Sequence, residues 1–271
     1  MLRWRMVTAL CLIPLVLLAV LKLTALPFAI LSGVFFALGV WEWAGLCGLS
    51  KSWVKRFYVA DFFVLIVILS IFHNLNLLFV GSLLWLCPLF LVYTYKQQVP
   101  LLLKNDVVKA LIGLILSALA WISLNRLHAI PDGPQWIILL FVLIWSSDTF
   151  AYFVGRKWGN VKLAPLISPK KTVEGFLGGL LGTMLVALML FYAVSPFMHL
   201  PPLYVWLSVA FIVILLGVVG DLFESLLKRL AGVKDSGTLL PGHGGILDRI
   251  DSLLAALPFY ALSLLWLLGE K

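Results

Sequence analysis

Long unbroken runs of apolar residues decide where this chain can fold. Nine such windows, roughly Met6–Leu23, Ala25–Leu46, Phe57–Phe72, Leu77–Tyr95, Val107–Leu124, Trp136–Gly155, Val173–Val194, Leu203–Gly220 and Ile250–Leu268, are separated mostly by short connections. A hydrocarbon core about 30 Å thick takes about 20 apolar residues as one helix. Without water to satisfy backbone N–H and C=O groups, only helices or closed β-barrels can cross it, and a barrel would show weak alternation instead of long runs. With 63% apolar and 12% charged residues the chain is far outside soluble usage. The expected fold is all-α: one polytopic membrane domain over residues 1–271 with about nine transmembrane helices. Residues 1–130 are read as amino-terminal helices without an assigned role, and 131–271 as the helices and loops that hold the candidate catalytic residues.

Orientation follows from the basic residues. Sixteen of the twenty Lys and Arg fall on the side of the amino-terminal tail and the even-numbered loops, and three on the other, with Lys109 inside a span. Cytoplasmic loops carry such an excess. The amino terminus is therefore expected in the cytoplasm, the carboxyl terminus outside, and the protein in the cytoplasmic (inner) membrane. The first window has a signal-peptide-like start at Arg3 and Arg5, but it is long and a second run follows at once, so it is read as half of a retained hairpin. The net charge of +8 sits in short loops, with no basic domain to grip a duplex, which excludes a nucleic-acid partner. Cys11, Cys47 and Cys87 lack both metal spacing and an even disulfide framework.

Against this background three polar clusters stand out. Late in the sixth window, Asp148, Tyr152 and Gly155 fall at helical offsets of four and three and share a face. A lone aspartate there could equally bond a neighbouring helix. The next loop reads LISPKKTVEGFLGG. Ser168 and Pro169 interrupt any preceding helix, Thr172 can cap the following one, and Lys170 and Lys171 approach its positive end beside Glu174. Such a loop can cradle phosphate, although the lysines alone would also suit a cytoplasmic flank. The third cluster, Gly220–Ser252, holds five of the twelve carboxylates within thirty-one residues. Asp221, Glu224, Ser225 and Lys228 form one helical stripe, while Asp248 and Asp251 share a face of the next helix. The intervening LPGHGG is too glycine-rich for helix and is expected to bring the two helix ends together with backbone N–H groups exposed. Carboxylates from two helices suit a hard cation such as Mg²⁺, which bridges to phosphates. Lys228, Arg229, Lys234 and Arg249 can then neutralise phosphate charge. No GxxxxGK[ST] loop, complete GxGxxG or Ser-His-Asp pairing is legible.

These residues resemble the phosphatidate cytidylyltransferase (CDP-diacylglycerol synthase) family. SLLKRLAGVKDSGTLLPGHGGILDRID, from Ser225 to Asp251, reproduces the family signature, and SPKKTVEG and the Asp148–Gly155 segment resemble further family motifs. The resemblance implies that cytidylyl transfer from CTP to phosphatidic acid gives CDP-diacylglycerol and pyrophosphate, with Mg²⁺ required. It implies Asp221 and Asp248 as ligands of a two-cation centre in which K⁺ is the candidate for one position. Lys228, Arg229 and Lys234 are then expected on CTP phosphates, and Ser168, Lys170, Lys171 and Thr172 on phosphate from the preceding loop. Asp235 and His243 join the catalytic set. Asp148, Glu174, Ser225, Gly244, Gly245, Arg249 and Asp251 complete the substrate-binding set. The family also implies a homodimer in the lipid bilayer. A transporter, the main rival, would place its polar residues near mid-span.

Overall fold

The computed structural model describes residues 2–71, 75–95, 99–240, 242 and 244–269. Its elements in chain order are α1 (Leu2–Lys22), α2 (Ala25–Leu46), α3 (Ser52–Ser70), α4 (Leu75–Leu84), α5 (Leu86–Thr94), α6 (Leu101–Lys104), α7 (Asp106–Ala129), α8 (Gly133–Trp158), β1 (Lys162–Ala164), β2 (Ser168–Thr172), α9 (Val173–Val194), α10 (Leu203–Leu230) and α11 (Leu247–Leu267). The chain is thus nearly all-α, as its apolar runs require.

Among the described residues, seven segments are long and apolar enough to cross a membrane: α2, α4 with α5, α7, α8, α9, α10 and α11. The expectation of nine spans is met only to that extent. Helix α1 runs over Leu2–Lys22, 21 residues, the length of a span and close to the first apolar window. Helix α3 carries Lys55, Arg56 and Asp61 among its 19 residues, which dilutes its apolar character. The α4–α5 segment breaks at Trp85. Pro88, three residues on, has no N–H for the Leu84 carbonyl, and a break is the expected response.

In a bilayer, helices gain little from hiding apolar surface from one another, so close approach and interhelical hydrogen bonds matter more. Aromatic polar tips supply several of those bonds. Trp43 Nε1 of α2 donates to the Lys109 carbonyl of α7 at 3.0 Å, and Tyr58 of α3 donates to the Ala110 carbonyl at 2.6 Å. Trp206 of α10 donates to Ala187 of α9 at 2.8 Å, and Tyr260 of α11 to Trp136 of α8 at 3.0 Å. Gly175 and Gly179 of α9 lie against Ala151 and Ser147 of α8, where a Cβ at either glycine would stand 2.9 Å from a backbone oxygen. Gly220 does the same for α10 and α11. Its missing side chain leaves room for the Asp251 carbonyl and for Ala255, whose Cβ would be 3.0 Å away. That approach brings the two acidic helices together beside Asp221.

Helix α10 runs to Leu230, ten residues beyond the apolar window that ends at Gly220, so the charged stripe is part of the same continuous helix. It ends in a Schellman motif, with Gly232 at φ +70° and Val233 donating to the Lys228 carbonyl. The region before α9, expected as an irregular loop, instead forms a small antiparallel hairpin of β1 and β2.

Gly220→Ala is expected to lower the thermal unfolding midpoint of the detergent-solubilised protein, by an overpacking penalty of about 1–3 kcal/mol. Gly217→Ala is the matched control. Its added Cβ would meet Ser252 at an ordinary 3.6 Å, so stability should hold or rise.

Candidate active site

At one end of the bundle the polar residues of α8, β2, α10 and α11 form a single charged cluster. Its centre is Lys228. Its ammonium lies 2.5 Å from Glu224 Oε2, one turn earlier on α10, and 2.6 Å from Asp248 Oδ1 on α11. Glu224 is 2% exposed and the Asp248 side chain 7%, so these charges are largely removed from water. One ammonium held between two buried carboxylates ties the helices in register, because neither acid is stable there alone.

Beside this triad a second ion pair joins Lys171 of β2 to Asp221 of α10. Ser225 reinforces it by donating to Asp221 Oδ1 at 3.3 Å. Asp148 of α8 lies in the electrostatic field of Asp221, Lys171 and Arg249, and Asp251 of α11 in that of Asp221, Lys171 and Asp148. Glu224 in turn feels Asp251 and Asp248. The result is a chain of five carboxylates, Asp148, Asp221, Asp251, Glu224 and Asp248, against two lysine ammoniums that touch them. Glu224 Oε1 is buried without a hydrogen-bond partner.

Asp248 is the most heavily bonded of the five. Its Oδ2 accepts from the Ser236 N–H at 3.0 Å, the Gly245 N–H at 2.8 Å and lies 3.0 Å from Ser236 Oγ. The glycine loop therefore directs one N–H inward to this carboxylate, whereas the sequence suggested donors open to a ligand. Gly244 adopts φ +84°, and a Cβ there would come within 2.7 Å of Asp248 Oδ2. Glycine is needed at that position on both counts.

The remaining expected residues are less central. Thr172 caps α9 as predicted, its Oγ1 accepting from Gly175 N at 3.1 Å. Glu174 accepts from the Val161 N–H through both oxygens, at 3.1 and 3.2 Å, and so ties the hairpin to α9. Arg229 Nε donates to the Ile167 carbonyl at 3.0 Å, fixing the β1–β2 turn against α10. Ser168 is half-buried in β2, and Lys170, Lys234, Asp235 and Arg249 are exposed around the rim. Tyr152 points outward and accepts from Arg156 at 2.9 Å. His243 lies outside the described residues.

Sequence reading missed Glu42 of α2, which is 4% exposed and accepts from the Leu247 N–H at 2.8 Å and from Ser236 Oγ at 3.0 Å. An ionisable residue inside an apolar window is itself the signal that could have found it. Ser236, between the two signature lysine and histidine positions, was likewise passed over.

A cavity of about 960 Å³ opens next to the cluster, between the end of α5 and the β1–β2 turn. Val92, Tyr95, Pro165, Leu166, Ile167 and Leu222 are among its walls. Ile167, in its wall, is bonded through its carbonyl to Arg229 of α10, so this largely apolar space lies close to the charged groups.

A helical bundle with seven segments long and apolar enough to cross a membrane among its described residues, and a largely buried carboxylate–ammonium cluster, is the architecture of a multi-pass membrane protein with a charged site. Comparison with known proteins makes the class specific: residues 3–267 match the cytidylyltransferase family, and the chain belongs to it. It is 39% identical to a phosphatidate cytidylyltransferase of Pseudomonas aeruginosa, over 99% of this chain and 98% of that protein. Similarity to the phosphatidate cytidylyltransferase of Haemophilus influenzae is 35% identity over 96% of this chain and 98% of that one. A Staphylococcus aureus phosphatidate cytidylyltransferase matches at 48% identity over 47% of this chain and 48% of its own length.

Lys228→Met should leave Glu224 and Asp248 buried without their counter-charge and destabilise the protein by about 3–5 kcal/mol. Adding Glu224→Gln to that variant is expected to restore part of the loss, because one of the stranded charges is gone. Thermal unfolding of the two single variants and the double variant measures this coupling.

Proposed function

We propose that this chain is a phosphatidate cytidylyltransferase, transferring the cytidylyl group of CTP to phosphatidic acid to give CDP-diacylglycerol and pyrophosphate. The observation that carries the reading is the gathering of the signature's acidic and basic residues into one cluster at the end of an apolar bundle. There a soluble nucleotide and a lipid can meet. A phosphate oxygen of the lipid attacks the α-phosphorus of CTP as the bond to the pyrophosphate oxygen breaks, so no protein nucleophile is required. The apolar cavity by Leu222 supports a lipid substrate, since it offers acyl chains a path beside Asp221.

The donor set fits Mg²⁺, and K⁺ as a second cation, in its chemistry. Carboxylate oxygens are the hard ligands such ions take, and Asp148, Asp221 and Asp251 lie near enough to act on one another electrostatically. Among the described residues no three Asp, Glu, His or Cys side chains converge as a ready-made metal cage. Mg²⁺ needs none, because it is commonly held by one or two carboxylates together with substrate phosphates. Asp221 would hold it, with Asp148 and Asp251 as its acidic neighbours. Asp248, whose Oδ2 accepts from the Ser236 and Gly245 N–H groups and whose Oδ1 meets Lys228, would be the second residue to hold a cation. When bound, the cations supply charge neutralisation and alignment of the attacking and leaving oxygens.

Lys171 and Lys228, each now on a carboxylate, would then be free to turn to phosphate oxygens. Arg229, Lys234, Lys170 and Ser168 would line the approach, with Arg249 in the field of Asp148 and the buried Thr172 holding the start of α9 beneath them. We place this end of the bundle at the cytoplasmic face of the inner membrane, with the amino terminus cytoplasmic, on the strength of the sixteen-to-three distribution of basic residues. The homodimer rests on the family resemblance.

Membranes or purified protein supplied with labelled CTP and phosphatidic acid are expected to form CDP-diacylglycerol only when Mg²⁺ is present, and chelation should stop the reaction. Asp221→Asn and Asp248→Asn should each abolish turnover while the protein remains inserted. Product formation without a divalent cation, or full activity in either variant, would refute the cation-holding roles.

A further inference from the structure

Glu42 is the place where the amino-terminal half of the chain reaches the charged cluster. It sits near the end of α2, 194 residues from Ser236 and 205 from Leu247, yet its carboxylate bonds to both. Ser236 is the first bonded contact of Asp248 in the loop after α10, and Leu247 is the first residue of α11, next to Asp248 itself. Glu42 thus grips the segment carrying Asp248 on both sides.

Hydrogen counting fixes how. Ser236 Oγ lies 3.0 Å from Glu42 Oε2 and 3.0 Å from Asp248 Oδ2, and a hydroxyl has one hydrogen to give. Asp248 already receives the Ser236 and Gly245 N–H groups and the Lys228 ammonium. Glu42 receives only the Leu247 N–H besides, and its Oε1 is buried with no partner at all. The greater need is at Glu42, so the Ser236 hydroxyl donates there. Its oxygen in turn faces the Asp248 N–H at 3.3 Å.

Helix α11 makes the same demand from the other direction. Its first N–H groups have no partner within the helix, and the residue at its N-cap is Ile246, which offers no side-chain acceptor. Glu42 supplies the missing acceptor from a different membrane helix, and its negative charge suits the positive end of α11. The loop is built around it. A Cβ at Gly245 would stand 2.7 Å from the Glu42 carboxyl carbon, and one at Gly237 would come within 2.6 Å of the same atom.

We infer that Glu42 is a positioning residue of the active site. From α2 it sets the placement of Asp248 through Ser236 and the amino-terminal end of α11. The inference rests on the proposed cytidylyltransferase reading for its kinetic consequence, but the clamp itself can be tested without it.

Hydrogen–deuterium exchange over residues 233–248 reads the clamp directly. Glu42→Gln, nearly the same shape without the charge, and Glu42→Ala should both speed exchange in this segment, while exchange in α9 stays as in the unaltered protein. In the activity assay kcat should fall about 10- to 100-fold, the size typical for a residue that holds a ligand-bearing group in place. The Mg²⁺ concentration for half-maximal rate should rise, and KM for phosphatidic acid should stay within twofold. Ser236→Ala should mimic these changes, and the double variant should be little worse than either single one. If Glu42→Ala does not accumulate in membranes, Glu42→Gln decides. Unchanged exchange over 233–248, or kcat and Mg²⁺ dependence equal to those of the unaltered chain, would overturn the inference. Absence of CDP-diacylglycerol from the unaltered protein would instead defeat the proposed reaction and leave the exchange result to judge the clamp.

Discussion

The position of one ammonium group governs the polar end of this molecule. Lys228 is shared between Glu224 on its own helix and Asp248 on the next, and all three are largely shielded from water. Buried carboxylates of two helices cannot face each other without such a counter-charge, and the ammonium cannot be buried without them. The pairing therefore sets how α10 and α11 slide against each other. Gly220 lets the helix backbones approach to the depth at which the pairing can form. Once the two are in register, Asp221 and Asp251 become neighbours, and Lys171 reaches across from β2 to the first of them.

The helical parts of this arrangement were legible in the sequence, and the reason is periodicity. Spacings of i, i+4 along α10 predicted the Asp221–Ser225 and Glu224–Lys228 neighbours, both of which form. Thr172 announced the start of α9 by its residue type and place. What escaped was long-range or short. The three- and five-residue strands of the hairpin leave too brief a pattern to separate from a loop. Among the described residues, seven of the expected spans have helices long and apolar enough to cross a membrane, and α3 carries Lys55, Arg56 and Asp61. Glu42 was visible as a carboxylate in an apolar window, but nothing local could tell that its partners lie some two hundred residues on.

That long reach changes how the two halves of the chain relate. Residues 1–130 looked like helices without an assigned role. In the folded chain α2 caps α11, α5 helps wall the cavity by Leu222, and α7 holds α2 in place through the Trp43–Lys109 bond. Gly113 makes that last contact possible, because the Trp43 indole occupies the space a side chain would fill. The acidic segment alone could not place Asp248, since α11 begins without a cap of its own.

Charge balance gives the site its logic on the proposed reading. Both CTP and phosphatidic acid are anions, and a chain of five carboxylates would repel them at close range. Two touching lysines offset only part of that charge, and in this state both are committed to Asp221, Glu224 and Asp248. With a cation bound, the carboxylates would be neutralised, and Lys171 and Lys228 would be available to phosphate oxygens. Cation and nucleotide would then bind with positive coupling, because each removes the repulsion that opposes the other. The same balance explains why the loop after α10 must be held firmly. Asp248 Oδ2 is anchored by the Ser236 and Gly245 N–H groups and Ser236 is bonded in turn to Glu42, so the carboxylate that would help to hold a cation keeps its place.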